Sequence, residues 1–256
     1  MSIGLLSLVI AITFASCATT VNVPYFRDVP DSTKVKRVAE APYTDPVIQP
    51  DDILAVTIIT IDPTTAAPVN QAANVPVTAS GATQGVPGLL VDKDGNISLP
   101  ILGTIKVAGL NTFQAKMLLK TKANQYFKDP DVQLRFANFK VTVLGEVAHP
   151  ATYILPNEKV SVLDALGLAG DLTIYGRREN VMIIRDNNGV KETARIDLNN
   201  TDLFKSPYFY LKQNDVVYVE PNKAKIVSSD AGQSKVVTIV ASVTATILIL
   251  LLRLKL

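Results

Sequence analysis

An α+β chain with two small β-rich modules between apolar ends is the fold that the sequence predicts. Three observations lead there. Short runs rich in Val, Ile and Thr recur between Ile53 and Val219, separated by Asp, Asn, Gly and Pro turns. Only two stretches in that region show helical spacing with terminal signals. The third is where the apolar excess lies. Mean hydropathy is +0.25, and the excess sits in residues 1–18 and 236–256. With 48% hydrophobic residues in 256, the chain is not intrinsically disordered and the middle is long enough for a real core.

Composition removes several chemistries. One Cys excludes an internal disulfide and a Cys-rich zinc site. One His, His149, excludes a paired-His metal motif. No metal site and no cofactor site is expected. A formal charge of +2 is too balanced for a nucleic-acid footprint, so no nucleic-acid partner is expected.

Ser2 to Phe14 is an apolar run of signal-peptide length, followed by Ala15, Ser16 and Cys17. The pattern resembles a bacterial lipoprotein signal, with Phe14 where Leu is usual. The resemblance implies lipid attachment at Cys17 and removal of residues 1–16. Several acyl chains on one residue anchor stably where one alone is marginal. The other reading of Cys17 is a buried thiol in a membrane helix. Residues 17–44 hold Pro24, Pro30 and Pro42 with mixed charges and no apolar period, the pattern of a tether that is extended or wraps over a neighbour's surface.

The first module is placed at 45–138. Ile53 to Ile61 reads as a strand ended by Asp62-Pro63. Residues 64–87 are an Ala, Thr, Pro, Gln and Val tract without period, expected as a surface loop or insertion, or else as two weak edge strands. Leu89-Leu90-Val91 and Asn96 to Pro100 flank Asp92-Lys93-Asp94-Gly95, which reads as a turn between two paired strands. A short strand follows Gly103. Asn111 with Gln114 three residues on is a capping box opening a helix. Its apolar face is Ala115, Leu118, Leu119, Ala123 and Tyr126, and Asp129-Pro130 ends it. Val132 to Phe136 is the next strand.

The second module is placed at 139–222. Lys140 to Val147 is a strand, His149-Pro150 turns the chain, and Ala151 to Leu155 is extended. Val160 to Ala169 is a short helix closed by Gly170. Val181 to Arg185 and Val190 to Ile196 flank a hairpin turn ending in Gly189. Strands on one helix make the module β-grasp-like. Gly95, Gly145 and Gly189 are taken as structural turn positions.

These stretches resemble the bacterial outer-membrane polysaccharide export family, the capsule translocon lipoproteins. Ile48-Gln49-Pro50-Asp51-Asp52, Val91 to Pro100, and Gly103 to Thr112 are similar to its export domain. Asp51 stands where that family has Gly. Val143 to Val147 with Pro150 and Tyr153, Asp164-Ala165-Leu166 with Ala169-Gly170, Arg185, and Leu211 to Glu220 are similar to its soluble-ligand-binding β-grasp domain. The resemblance implies a lipoprotein of the outer membrane that forms a homo-oligomeric ring and passes capsular or extracellular polysaccharide along its axis. It also implies an inner-membrane co-polymerase partner, in some cases kinase-linked. The rival reading is a periplasmic glycan-binding lipoprotein serving a separate β-barrel pore. No catalytic residue is expected, since a conduit needs no nucleophile and no tuned acid–base pair.

Residues 223–256 are read as a linker and a membrane helix. Val236 to Leu252 spans about 25 Å at 1.5 Å per residue, flanked by Lys235, Arg253 and Lys255. Thr238, Ser242 and Thr246 fall on one stripe, facing a lumen or a neighbouring helix. A plain anchor is the alternative. Arg177, Arg178, Lys191 and Arg195 read as a solvated basic set, with contact to an acidic polymer as the alternative. Tyr208, Phe209 and Tyr210 suit either sugar stacking or packing. Asp51-Asp52 reads as a strand cap, and His149 as a loop residue.

Overall fold

The computed structural model describes residues 24–32, 34–77, 85–187, 189–225 and 240–245. Cys17, Thr238 and Thr246 lie outside the described residues. So does most of the expected span at 236–252, of which residues 240–245 are helical. Ser242 is exposed on that turn, and Thr244 donates to the carbonyls of Val240 and Ala241 at 2.9 and 3.0 Å. Among the described residues no helix is long and apolar enough to cross a membrane.

The first module is built on β1 (Ile53–Ile59), where alternate residues Val56 and Ile58 are buried. The chain then forms α1 (Pro63–Ala73), not the loop expected at 64–87. Asp62 caps it by accepting from the Thr64 N–H at 3.0 Å, and Pro63 occupies the first turn, where its missing N–H costs nothing. Ala66, Val69 and Ala73 are buried on one face. Asn70 completes the docking: its side-chain amide accepts from Ile58 N–H and donates to Ile58 C=O, both at 2.8 Å. A side chain thus supplies the pairing that a further strand would have given β1 at that point. Among the described residues, the end of the tract forms β2 (Pro76–Val77) paired with β3 (Val86–Pro87), in line with the alternative of two weak strands.

A second expectation fails nearby. β4 (Leu89–Leu90) does not form a ladder with β5 (Asn96–Leu99). β4 pairs with β1, whereas β5 pairs with β6 (Gly103–Lys106). The Asp92–Gly95 turn exists, with Gly95 N–H donating to Asp92 C=O at 2.8 Å, but it carries the chain between two sheets. The Gly95 carbonyl is used by the N–H groups of Val107 and Ala108, each at 3.0 Å, so the turn is held by the residues that follow β6.

The expected capping box opens α2 (Thr112–Ala123): Asn111 accepts from Gln114 N–H at 2.8 Å, and Gln114 accepts from Asn111 N–H at 3.0 Å. Ala115, Leu119 and Ala123 are buried. The helix stops at Ala123, six residues before Asp129, and Tyr126 is 56% exposed, so it is not on the core face. β7 (Asp131–Phe136) returns antiparallel to β1, giving the sheet order β4-β1-β7.

The second module is a five-stranded mixed sheet. Its strands are β8 (Lys140–Gly145), β9 (Ala151–Ile154), β11 (Gly176–Asn187), β12 (Val190–Ile196) and β14 (Val216–Pro221), in the order β12-β11-β14-β8-β9. β14 and β8 are parallel, and the other pairs are antiparallel. β10 (Val160–Ser161) pairs with β13 (Tyr210–Leu211). Ser161 and Asp164 form a capping box on α3 (Val162–Leu168), whose Val162, Ala165 and Leu166 are buried. Gly170 follows with φ +75°.

The tether wraps this chain's own second module. Phe26 and Arg27 N–H donate to Leu198 and Asn199 C=O at 3.2 and 2.6 Å. Asp28 accepts from Thr201 N–H and Oγ1 at 3.0 and 2.6 Å, and the Phe26 ring stacks on Phe204 at 5.5 Å. Tyr25 donates to Asp171 and lies 5.6 Å from the Arg178 guanidinium. Burial, and then that hydrogen bond, push the Tyr25 hydroxyl far above the usual tyrosine range.

Candidate functional site: the seam and cleft between the modules

The Ile48-Gln49-Pro50-Asp51-Asp52 stretch bends sharply before β1. Asp51 has φ +70°, a left-handed conformation that glycine adopts without a Cβ clash. This explains physically why Gly suits that position in the resembling family. Replacing Asp51 with Gly is expected to stabilise the full chain by about 1 kcal/mol. That corresponds to a rise of about 2–4 °C in the thermal midpoint; a fall in the midpoint would show that the Asp51 side chain is needed.

The bend turns the Asp52 carboxylate back into the seam, where it is 2% exposed. It accepts from Gln49 N–H at 2.8 Å and from Gln213 Nε2 of the second module at 3.3 Å. Gln213 also donates to Asn138 C=O at 2.9 Å and accepts from Lys140 N–H at 2.8 Å. Asn138 Oδ1 in turn accepts from Ile53 N–H at 2.9 Å. One side chain thereby keys the second module to the start of β1. Glu158 makes a second key, accepting from Thr112 Oγ1 at 3.1 Å and from Phe136 N–H at 3.4 Å.

Burial lifts the Asp52 carboxyl from 3.8 to about 6, against the hydrogen bonds from Gln49 and Gln213, with Asp51 raising it further and Lys140 lowering it. The folded value lies above the unfolded one. The stabilisation from proton binding is therefore fully present below pH 3.8 and is lost as pH rises through about 6. The difference corresponds to about 3 kcal/mol. Urea midpoints of the full chain at several pH values between these limits should fall with rising pH relative to Asp52→Asn. Parallel curves for the two proteins would remove Asp52 from the account.

Beside the seam, Arg185 and Asp215 form a buried pair, 6% and 0% exposed. Arg185 donates from Nε to Asp215 Oδ1 at 3.0 Å, and from Nη2 to Oδ2 at 2.6 Å and to Tyr210 C=O at 2.9 Å. Its guanidinium lies 4.9 Å from the Tyr208 ring centre. A cleft of about 730 Å³ opens here, bounded by the chain at Pro42 to Pro50, by Lys106 to Gly109, and by the second module's Arg185, Glu192 and Tyr208.

The glycines singled out in the sequence do not meet in one site. Gly95, Gly145 and Gly189 have φ of +79°, +91° and +83° at three separate turns. The basic set is divided: Arg177, Lys191 and Arg195 keep solvent-accessible side chains, as a solvated set would, and Arg178 does not. Arg178 is 3% exposed and caps the carbonyls of Leu172, Thr173 and Gly176, because it sits at an inward position of β11. Arg177 and Arg195 both pair with Glu220, and Lys191 pairs with Asp186. Phe209 is buried, while Tyr208 and Tyr210 are half-buried.

The sequence pattern singles out neither Glu158 nor Glu192, and it marks Gln213 only as part of the turn Gln213-Asn214-Asp215. Arg185 did carry a signal for its partner. It follows Val181 and Ile183 at the inward spacing of a strand, and an inward charge requires a counter-charge. Among the described residues, no three His, Cys, Asp or Glu side chains group as metal ligands.

Comparison with known proteins agrees with this two-module build. Residues 40–137 match the family described as polysaccharide biosynthesis/export protein, and residues 139–219 match the SLBB domain. The EPS I polysaccharide export outer membrane protein EpsA of Ralstonia solanacearum is 30% identical over 95 residues, covering 36% of this chain and 25% of that protein. Its namesake from Ralstonia nicotianae (strain ATCC BAA-1114 / GMI1000) is 28% identical over 109 residues, covering 41% and 29%. The chain thus spans between a quarter and a third of the length of the curated relatives it matches. With both domains matched in order, on modules that Gln213 and Glu158 key together, the chain belongs to the polysaccharide biosynthesis/export protein family.

Proposed function

We propose that this chain is an outer-membrane lipoprotein that assembles into a homo-oligomeric ring and conducts capsular or extracellular polysaccharide out of the cell. The observation that carries the reading is the pairing of an export domain with an SLBB domain across a hydrogen-bonded seam. Modules locked in this way can stack as one block, and repeated head-to-tail contact between such blocks closes a ring when the rotation closes. The matched relatives are export proteins of the outer membrane by name, which favours the same site of action here. Lipid on Cys17 would hold the periplasm-facing body to the membrane. A helix at 236–252, with Thr238, Ser242 and Thr246 turned to a lumen or to neighbours, would cross it. An inner-membrane co-polymerase, kinase-linked or not, would deliver the polymer. Such a conduit works without catalytic residues or cofactors.

The test is the native mass of the detergent-extracted full chain, together with secreted polysaccharide in a deletion strain carrying it. A ring-sized species and restored secretion support the reading; a monomer that restores secretion would overturn the ring. Labelling with a palmitate analogue is expected for the wild type and not for Cys17→Ser. Equal labelling of both would exclude lipidation at Cys17.

A further inference from the structure

We propose that the cleft between the two modules is a saccharide-binding site, built for a short, hydroxyl-rich segment of glycan without strong net charge. The proposal rests on the export reading and adds to it a place where the polymer is held.

Size and position come first. At about 730 Å³ the cleft falls within the range of small-ligand pockets. It is bounded by both modules and by the chain that joins the tether to β1, so an occupant touches all three.

The chemistry of the walls points to a sugar. Glu192 accepts from Tyr208 OH at 3.1 Å and from Asn187 Nδ2 at 2.8 Å. These bonds hold its carboxyl below the usual range, and so it is an ionised acceptor at neutral pH. Arg185 is anchored to buried Asp215 and lies against the Tyr208 ring at 4.9 Å. The ring is therefore fixed by a bond at its hydroxyl and by a cation near its centre. A rigid aromatic surface beside a carboxylate suits the C–H face and the hydroxyls of a sugar.

Charge selects among glycans. Lys106 and Lys212 line the cleft with Asp45 and Glu192, two cations against two anions. Arg185 and Asp186 also line it, but each is paired, with Asp215 and Lys191 respectively. A polyanion gains no net attraction from such a lining, whereas a polyol finds donors and acceptors together. An occupant bound only by the folded protein also raises its thermal midpoint.

The experiment uses the purified full chain in detergent. The probe is a set of oligosaccharides made by partial hydrolysis of the polysaccharide secreted by the organism that makes this protein. Oligogalacturonate serves as the polyanion and a proline-rich peptide as the protein-like competitor. Calorimetry and saturation-transfer NMR read binding. The wild type should bind the oligosaccharides saturably, with a raised thermal midpoint. Tyr208→Ala and Glu192→Gln should each weaken binding at least tenfold, and Tyr208→Phe, which keeps the ring, should weaken it less. Lys93→Ala, away from the cleft lining, should bind as the wild type does. No saturable binding to the wild type, equal binding by the cleft variants, or tighter binding of oligogalacturonate or the peptide would overturn the proposal. Polysaccharide secretion separates the two ideas: intact secretion without cleft binding defeats only the cleft, and loss of secretion by cells carrying the wild-type chain defeats the export reading.

Discussion

Gly145→Ala is expected to cost about 4 kcal/mol or more, an exceptional loss for one methyl group. Gly145 ends β8, where β8 runs parallel to β14 in the middle of the five-stranded sheet. A Cβ at that position would stand 2.0 Å from the Val219 carbonyl oxygen and 2.9 Å from its carbon. The obstacle is backbone, and the same carbonyl accepts from Glu146 N–H at 3.0 Å, so it cannot swing aside without breaking the ladder. The φ of +91° adds strain of its own. Gly189→Ala makes the comparison. Its φ is similar at +83°, but nothing lies within 4 Å of a Cβ there. Only the backbone term remains, about 1 kcal/mol. Urea denaturation of the two full-length variants measures the difference. Equal losses, or an unchanged midpoint for Gly145→Ala, would contradict the close approach of β8 and β14.

Asp215→Ala is expected to destabilise the chain by about 3–5 kcal/mol, because it leaves the Arg185 guanidinium buried without its counter-charge. It also removes the acceptor of Lys212 N–H at the start of the turn into β14. Arg185 would lose its hold on the Tyr208 ring, so the damage should reach the cleft wall. Replacing both residues, as Arg185→Met with Asp215→Ala, should recover most of the loss, since an apolar pair leaves no uncompensated charge. The two single variants and the double variant form a thermodynamic cycle. A double variant as unstable as the sum of the singles would mean that the pair is not the source of the effect.

The amino-acid sequence by itself determined what depends on neighbours within a few residues. The Asn111 and Gln114 capping box, the hairpin at Asp186 to Gly189, and the alternating strands of the second module all form where local chemistry places them. Positive φ at Gly95 and Gly189 is equally local. The order of stretches from Ile48 to Glu220 was enough to point to the export family. Tertiary structure decided the rest. The tract at 63–73 shows no apolar period and has Pro68 inside it, yet it is helical because Ala66, Val69 and Ala73 have β1 to bury against and Asn70 has Ile58 to bond. The Asp92–Gly95 turn joins two sheets because β4 finds β1 and β5 finds β6. Arg178 is a buried cap because the sheet turns it inward. The site is the least local feature of all: Gln213 meets Asp52 across 161 residues, and Arg185 meets Asp215 across 30. Caps and turns act over a single turn of chain, whereas a seam between modules exists only once both surfaces are folded and facing each other.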